Sequence, residues 1–286
     1  MSATFTVLAS GSSGNAALIR AGGFGLLIDA GVGPVSLKRR LAESGADWND
    51  ISAVVLTHTH SDHWKERTLA QLALRRRPVF CHETHIQALR DGSPAFATLL
   101  AAGLVETYSP RTTFSPGGEL RLEAIDVWHD SHRTFGFRIE GRDTGWRLGF
   151  AADLGDHDIA LIEFFAGVHV LAIEFNHDVD MLMSSRRPDH LIRRILGRHG
   201  HLSNVQAARL VRALLSCRGR SVLHALVPLH LSRECNTPQL ALRAAKGALS
   251  QSDCGADVVL SSQWTASAVV PLSNPIAAIV REESLG

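Results

Sequence analysis

Residues 57–64 read THTHSDHW and follow directly on the apolar run ISAVVL at 51–56. Three histidines and an aspartate (His58, His60, Asp62, His63) therefore fall within six positions at the end of a stretch that reads as a buried strand. In an extended segment His58 and His60 point to the same side. Asp62 and His63 fall on the turn into the next helical pattern and face the same space from another direction. Imidazole nitrogens with a carboxylate oxygen make a borderline ligand set, suited to zinc, manganese or iron rather than calcium. Four such groups exceed one tetrahedral site that must keep an open position. Two divalent metal ions, with further ligands from elsewhere, are therefore expected.

Candidates for those ligands stand at the ends of later apolar runs: His129 in VWHDSH, Asp153 in FAADLGD and His230 in VPLHLS. A solitary histidine in such a place is more often a satisfied loop or core residue than a ligand. All three in order after HxHxDH shift that balance toward a metal site.

The surroundings are those of a folded α/β protein. The chain has 286 residues, 45% of them hydrophobic, enough for an ample core. Its formal charge of +1 provides no global field for a polyanion, so an anionic partner must be held locally. Only Lys38, Lys65 and Lys246 are lysines among 29 basic residues, and arginine forks suit phosphate. No run of about 18 apolar residues appears, so no membrane span is expected. The start, MSATFTVLASGSSGN, does not read as a signal peptide. Cys81, Cys217, Cys235 and Cys254 are scattered without a CxxC pair, as reduced thiols of a cytoplasmic protein would be.

TFTVLAS and FGLLIDAG read as strands joined by a Gly-rich turn at RAGG. PVSLKRRLAESG reads as a helix ended by Gly45, ISAVVLT as a strand, KERTLAQLALRR as a helix, RPVFCH as a strand and THIQALRD as a helix. Antiparallel strands are expected in the middle, from TTFSPGGELRLEAIDVWHD to GWRLGFAADLG. GVHVLAIEFN and SVLHALVPLH read as strands. PDHLIRRILGRHG, SNVQAARLVRALLSC (with Ser203 as N-cap) and TPQLALRAAKGALSQ read as helices, and ADVVLSSQWTASAVVPL closes as one or two strands. Two strand clusters, each flanked by helices, predict a sandwich of two helix-covered sheets in a single domain over 1–286.

The ordered set HxHxDH, His129, Asp153 and His230, with LLIDAG upstream, resembles the metallo-β-lactamase-fold hydrolases over nearly the whole chain. The resemblance implies a four-layer αββα sandwich, α/β (α+β) in class, with a dinuclear site at one edge. It implies that His58, His60 and His129 hold one ion and Asp62, His63 and His230 the other, with Asp153 between them. Asp29 would hydrogen-bond the ligand loop rather than bind metal. LASGSSGN, THTHSDH, WHD, EFNHD, GRHGHLSN and LHLSRECNTP together resemble the YycJ (WalJ) family, whose members are described as metal-dependent 5′-to-3′ exonucleases on DNA. Two departures stand out: Cys235-Asn236 where the family usually has Asn-Asn, and HDSHRTFGF in place of the usual HDA-then-Pro pattern.

The chemistry expected is in-line attack of a metal-bridged hydroxide on phosphorus. His201 in GHLSN is the candidate donor of a proton to the leaving 3′-oxygen, with a structural contact beside Ser203 as the bland reading. Glu174 would orient His201, and Asp62 belongs to the catalytic set through its metal. Asn176 and His177 would line the cavity, with a polar strand-end cap as the alternative. Ser10, Ser12, Ser13 and Asn15 in SGSSGN offer a phosphate nest, or simply a turn. Arg186, Arg187, Arg193, Arg194 and Arg198 could track a DNA backbone, although a solvated helix face is the default. His132 and the remaining histidines receive no role. The rival enzyme reading is a hydrolase of cyclic or compact phosphodiesters, with thioester hydrolysis weaker. The rival non-enzyme reading is a protein that binds DNA ends without cutting. Native metal and oligomeric state are not legible.

Overall fold

In the computed structural model, residues 3–129, 133–142, 144–217 and 221–273 are described. The WHDSH expectations at 130–132, His132 included, lie outside them.

The first half of the chain contains β1 (Thr4–Ala9), β2 (Ala16–Ala21), β3 (Phe24–Ile28), α1 (Pro34–Glu43), β4 (Ala53–Val55), α2 (Glu66–Leu74), β5 (Val79–His82), α3 (Ile86–Gly92), α4 (Pro94–Ala101) and β6 (Val105–Tyr108). The second contains β7 (Thr113–Phe114), β8 (Leu120–Val127), β9 (Thr134–Gly141), β10 (Arg147–Ala151), α5 (Ile159–Phe165), β11 (Val170–Glu174), α6 (Val179–Met183), α7 (Asp189–Leu196), α8 (Asn204–Ser216), β12 (Ala225–Leu229), α9 (Pro238–Gln251), β13 (Asp257–Val258) and β14 (Val270–Pro271). The strands form two sheets, ordered β14-β1-β2-β3-β4-β5-β6 and β13-β12-β11-β10-β9-β8-β7. In each, one side is antiparallel and the other parallel: β3 to β6 in the first sheet, β10 to β13 in the second.

Alternation along the strands builds the layers. On β3, Leu26 and Ile28 face the second sheet, joining Phe5, Phe135, Phe137 and Phe150 in the central core, while Leu27 faces out. Leu27, Leu18 and Val54 pack under Leu41 of α1, Leu69 and Leu72 of α2 and Phe96 of α4. On the other side Leu171, Ile173 and Leu226 meet Phe164 and Phe165 of α5, Leu210 and Val211 of α8 and Ala245 of α9. Strands covered on both faces read as continuous apolar runs, the pattern seen in ISAVVL. Phe5, Phe135 and Phe137, each no more than 1% exposed, contribute about 1.5–3 kcal/mol apiece through burial. The result is the helix–sheet–sheet–helix sandwich expected from sequence.

Several elements differ from expectation. RAGG does not join β1 to β3; it is the turn between β2 and β3, because AALIRA forms a further antiparallel strand. Gly22 and Gly23 make that turn at φ 57° and 82°. The run at 51–57 yields only the three-residue strand β4, since the backbone beyond Val55 turns into the histidine loop. The closing run at 256–272 splits between the two sheets, β13 beside β12 and β14 beside β1. Helices α4, α5 and α6 and strand β6 were not anticipated.

Ser203 caps α8 as expected: its hydroxyl accepts from the Gln206 N–H, and the Gln206 side chain reaches back to complete a capping box. This fixes where the preceding GHL segment ends.

Candidate metal centre

The candidate ligands gather at one edge of the sandwich. Asp29 follows β3, Thr57–His63 follow β4, His129 follows β8, Asp153 follows β10, Glu174 ends β11 and His230 follows β12. That is the carboxyl end of the parallel strands, where crevices form in α/β sheets. Asp29 and His230 both have left-handed backbones, at φ 62° and 55°. Such conformations cost about 1–3 kcal/mol each in a residue with a Cβ and persist where the surroundings impose them.

Three overlapping groups of ligating atoms lie within 4.8 Å of one another: His58, His60 and His129; His58, His63 and Asp153; Asp153, Glu174, His201 and His230. Asp153 sits at the junction. Its Oδ2 is 2.7 Å from His63 Nε2 and 3.6 Å from His58 Nε2, and its Oδ1 is 2.6 Å from His230 Nδ1. Asp62 stands at the rim, its Oδ2 3.7 Å from His63 Nε2 and 4.0 Å from His230 Nε2.

His58, His63, His129 and His230 share one arrangement, with Nδ1 on a protein partner and Nε2 turned to the centre. His63 Nδ1 donates to Asp29 Oδ2 at 2.7 Å. His58 Nδ1 donates to the Thr57 hydroxyl, which itself donates to Asp29. His129 Nδ1 donates to the Gly200 carbonyl at 3.1 Å, and His230 Nδ1 to Glu174 Oε1 at 2.9 Å. Partners of this kind fix the tautomer and ring orientation of metal-binding histidines. The atoms left over are telling. His58 Nε2 and His230 Nε2 are buried without a hydrogen bond, and both Asp153 oxygens, though close to His63 Nε2 and His230 Nδ1, accept no well-aligned one. Buried polar atoms are rarely left so, and a cation among them would satisfy all four. The donor set fits divalent metal ions of the nitrogen- and oxygen-binding kind.

Glu174 is fully buried yet completely satisfied. Oε2 accepts from the N–H groups of Leu154 and Leu202, and Oε1 from His201 Nδ1 at 2.8 Å and His230 Nδ1. Burial alone would raise its carboxyl; the charges and hydrogen bonds of His201 and His230 outweigh that and hold it below the usual range. His201 is the converse: burial works against its charge, and Glu174 overrides it to raise its pKa. Its side chain remains 24% exposed and lines a cavity of about 150 Å³ with Ser12, Asn176 and Ser232.

The segment SGSSGN plays a different part from the phosphate nest expected. The N–H groups of Ser10, Gly11, Ser13 and Asn15 are spent on Ser262 O, Asn15 Oδ1, Gln263 Oε1 and Asp62 O. Ser10 Oγ accepts from the His230 N–H, and Asn15 Nδ2 lies 3.0 Å from His63 Nε2. Ser10 and Asn15 thus brace the ligand loops, Ser13 is exposed, and Ser12 alone of the four lines the cavity. His177, expected to line the cavity, is wholly buried, with neither ring nitrogen hydrogen-bonded. Burial pushes its pKa down to about 4, so it holds no charge for an anion at neutral pH. Asn176 lines the cavity, but its Nδ2 is engaged with the His230 carbonyl.

Thr57, Gly200 and Asn236 were not foreseen in the site. Asn236 Nδ2 donates to the Phe175 and Asn176 carbonyls and its Oδ1 accepts from Asn204, tying the β11, β12 and α8 ends together. Cys235, where the family usually has asparagine, is buried with Leu182 and Ile192, away from the ligands.

The chain matches the Beta-lactamase superfamily domain over residues 25–225. It is 30% identical over 263 residues to the exodeoxyribonuclease WalJ of Streptococcus pneumoniae serotype 2, covering 89% of this chain and 91% of that one. It is 28% identical over 256 residues to the exodeoxyribonuclease YycJ of Bacillus anthracis, covering 88% and 90%. Among solved structures it resembles the metallo-β-lactamase fold protein YhfI of Bacillus subtilis, with a TM-score of 0.66 at 16% identity, over 93% of this chain and 99% of that one. The chain belongs to the β-lactamase superfamily, as a metallo-β-lactamase-fold hydrolase of the YycJ (WalJ) family.

Proposed function

We propose that this hydrolase is a two-metal phosphodiesterase acting on DNA, and specifically a 5′-to-3′ exodeoxyribonuclease of the cytoplasm. The relatives named exodeoxyribonucleases, matched nearly end to end, support the substrate. The observation that carries the site is Asp153, whose two buried oxygens face different histidines, at 2.7 Å from His63 and 2.6 Å from His230. In this reading His58, His60 and His129 hold one ion, Asp62, His63 and His230 the other, and Asp153 touches both. Bound there, the two cations supply Lewis acidity and neutralise charge on the phosphoryl oxygens.

The chain's own residues do the rest. Asp29 and Thr57 orient His58 and His63 from behind. Glu174 holds His201 by Nδ1 and favours its charged form, so that its other nitrogen can give a proton to the leaving 3′-oxygen. Ser12 and Asn176 face the substrate from the cavity wall.

The test is metal-reconstituted protein, with manganese or zinc, on duplex DNA labelled at either end. Early release of mononucleotide from the 5′ end, lost in Asp62→Ala, is expected. Turnover of a small phosphodiester with intact DNA would establish the compact-substrate reading instead. DNA binding that survives Asp62→Ala, with no product from either protein, would establish a non-catalytic end-binder.

A further inference from the structure

The chemistry just described draws on His201, Ser12 and Asn176 of the cavity beside His201 but leaves its arginines without a part. Its wall carries two arginines, Arg187 just before α7 and Arg194 on it, together with Ser12, Ser232 and Asn176. No acidic side chain and no Phe, Tyr or Trp lines it among the described residues. Arg187 is part-buried, and its Nε has no hydrogen-bond partner. Its Nη2 pairs on the outer side with Glu234, which is 69% exposed. A cavity of about 150 Å³ is smaller than the roughly 300–1,000 Å³ of pockets that take a whole small molecule. Its lining suits one compact anion at the end of a longer ligand, because guanidinium forks and hydroxyls match phosphate oxygens and nothing is present to stack on a base.

Position decides which anion. His201 lines this cavity and also lies 3.6 Å, Nδ1 to Asp153 Oδ1, from the metal cluster. In the proposed reaction water adds its oxygen to phosphorus, the P–O3′ bond breaks, and the 3′-oxygen leaves with the proton from His201. The cavity is therefore on the leaving-group side. For cleavage at the first linkage, the leaving group is the 5′-terminal nucleotide, and its remaining anion is its own 5′-phosphate.

We propose that this cavity binds the 5′-terminal phosphate of the strand through Arg187 and Arg194, so that the enzyme counts one nucleotide from a phosphorylated end. The inference rests on the phosphodiesterase reading and on His201 being the leaving-group acid.

The test uses oligonucleotides identical except for a 5′-phosphate or a 5′-hydroxyl, labelled at the 3′ end, with bis(p-nitrophenyl) phosphate as a substrate lacking any terminal phosphate. Wild type is expected to prefer the 5′-phosphate by at least about tenfold in kcat/KM. In Arg187→Gln and Arg194→Gln that preference falls toward unity, with a correspondingly smaller effect on bis(p-nitrophenyl) phosphate. Binding of the same oligonucleotides, followed by anisotropy, should show the same preference and the same loss. Equal rates and equal binding for the two ends in wild type would overturn the proposal. So would variants that lose activity on all three substrates by one factor. Absence of hydrolysis of every substrate by wild type defeats the phosphodiesterase reading instead, and the anisotropy comparison then decides the phosphate site alone.

Discussion

Replacing Glu174 by glutamine probes the site most sharply, because the change is nearly isosteric and four donors converge on this one carboxylate. Glutamine keeps one acceptor oxygen. With that oxygen on the Leu154 and Leu202 N–H groups, its NH2 faces Nδ1 of both His201 and His230, donor against donor. His230 can escape by moving its proton from Nδ1 to Nε2, and His201 by releasing its Nδ1 proton. For His230 that places a proton on the atom left for the metal, and for His201 it removes the charge that Glu174 favours. Two charge-assisted hydrogen bonds of about 1.5–3 kcal/mol become neutral contacts of about 1 kcal/mol, a loss of about 1–4 kcal/mol together. For a chain of this size that lowers Tm by about 2–7 °C. Metal affinity should fall about 10- to 100-fold, and kcat/KM by about 10²- to 10⁴-fold. Thermal melts, metal content after dialysis and phosphodiester hydrolysis measure the three effects. A Glu174→Gln protein with full metal content, a Tm within about 1 °C and a rate within about threefold of wild type would refute the argument that this carboxylate organises both histidines.

Gly31→Ala should damage the centre without touching a ligand. A Cβ at Gly31 would overlap the Asp62 carbonyl and stand 2.8 Å from the Asn15 nitrogen, so the histidine loop must move. The expected result is a native circular dichroism spectrum with less than about half the wild-type metal content, at a cost of about 1–3 kcal/mol in stability. Full metal content in this variant would show that the loop tolerates displacement. Metal uptake should also release protons. Burial favours a neutral His63, but Asp29 and Asp153 outweigh it and raise its pKa to about 10. An ion on Nε2 requires the neutral ring, so affinity should rise with pH up to about 10 and weaken about tenfold per unit below it for each proton displaced. Calorimetry in buffers of different ionisation enthalpy should record at least about one proton released per protein, and none released would remove His63 from the ligand set.

The clustering of the candidate ligands was legible in sequence because its signal is local: a short string at the end of one strand, then single polar residues at the ends of others. Their supports were not, because they join residues far apart. Asn15 reaches Asp62 across 47 positions, and the His129–Gly200 contact spans 71. Ser10 looked like a phosphate contact since serine and glycine after a strand offer free N–H groups, yet those groups are claimed by Ser262, Gln263 and Asp62. The fold was legible for the same local reason. AALIRA escaped notice because alanine and arginine weaken its strand character, and tertiary pairing with β1 and β3 overrides that propensity. The short helices α5 and α6 depend on Asp158 and Asp178 as caps more than on any amphipathic period.

The bracing of Ser13 and Gly14 by Gln263, across about 250 positions, has a consequence for biosynthesis. Residues 10–15 leave the ribosome about 250 residues ahead of Gln263. At about 5–20 residues per second the early loop waits roughly 12–50 s for its partner. During that interval His230, whose N–H needs Ser10, is also still to come. A nascent chain therefore carries the HxHxDH string long before it can hold that string in place, and the site is completed only once His230 and Gln263 have emerged.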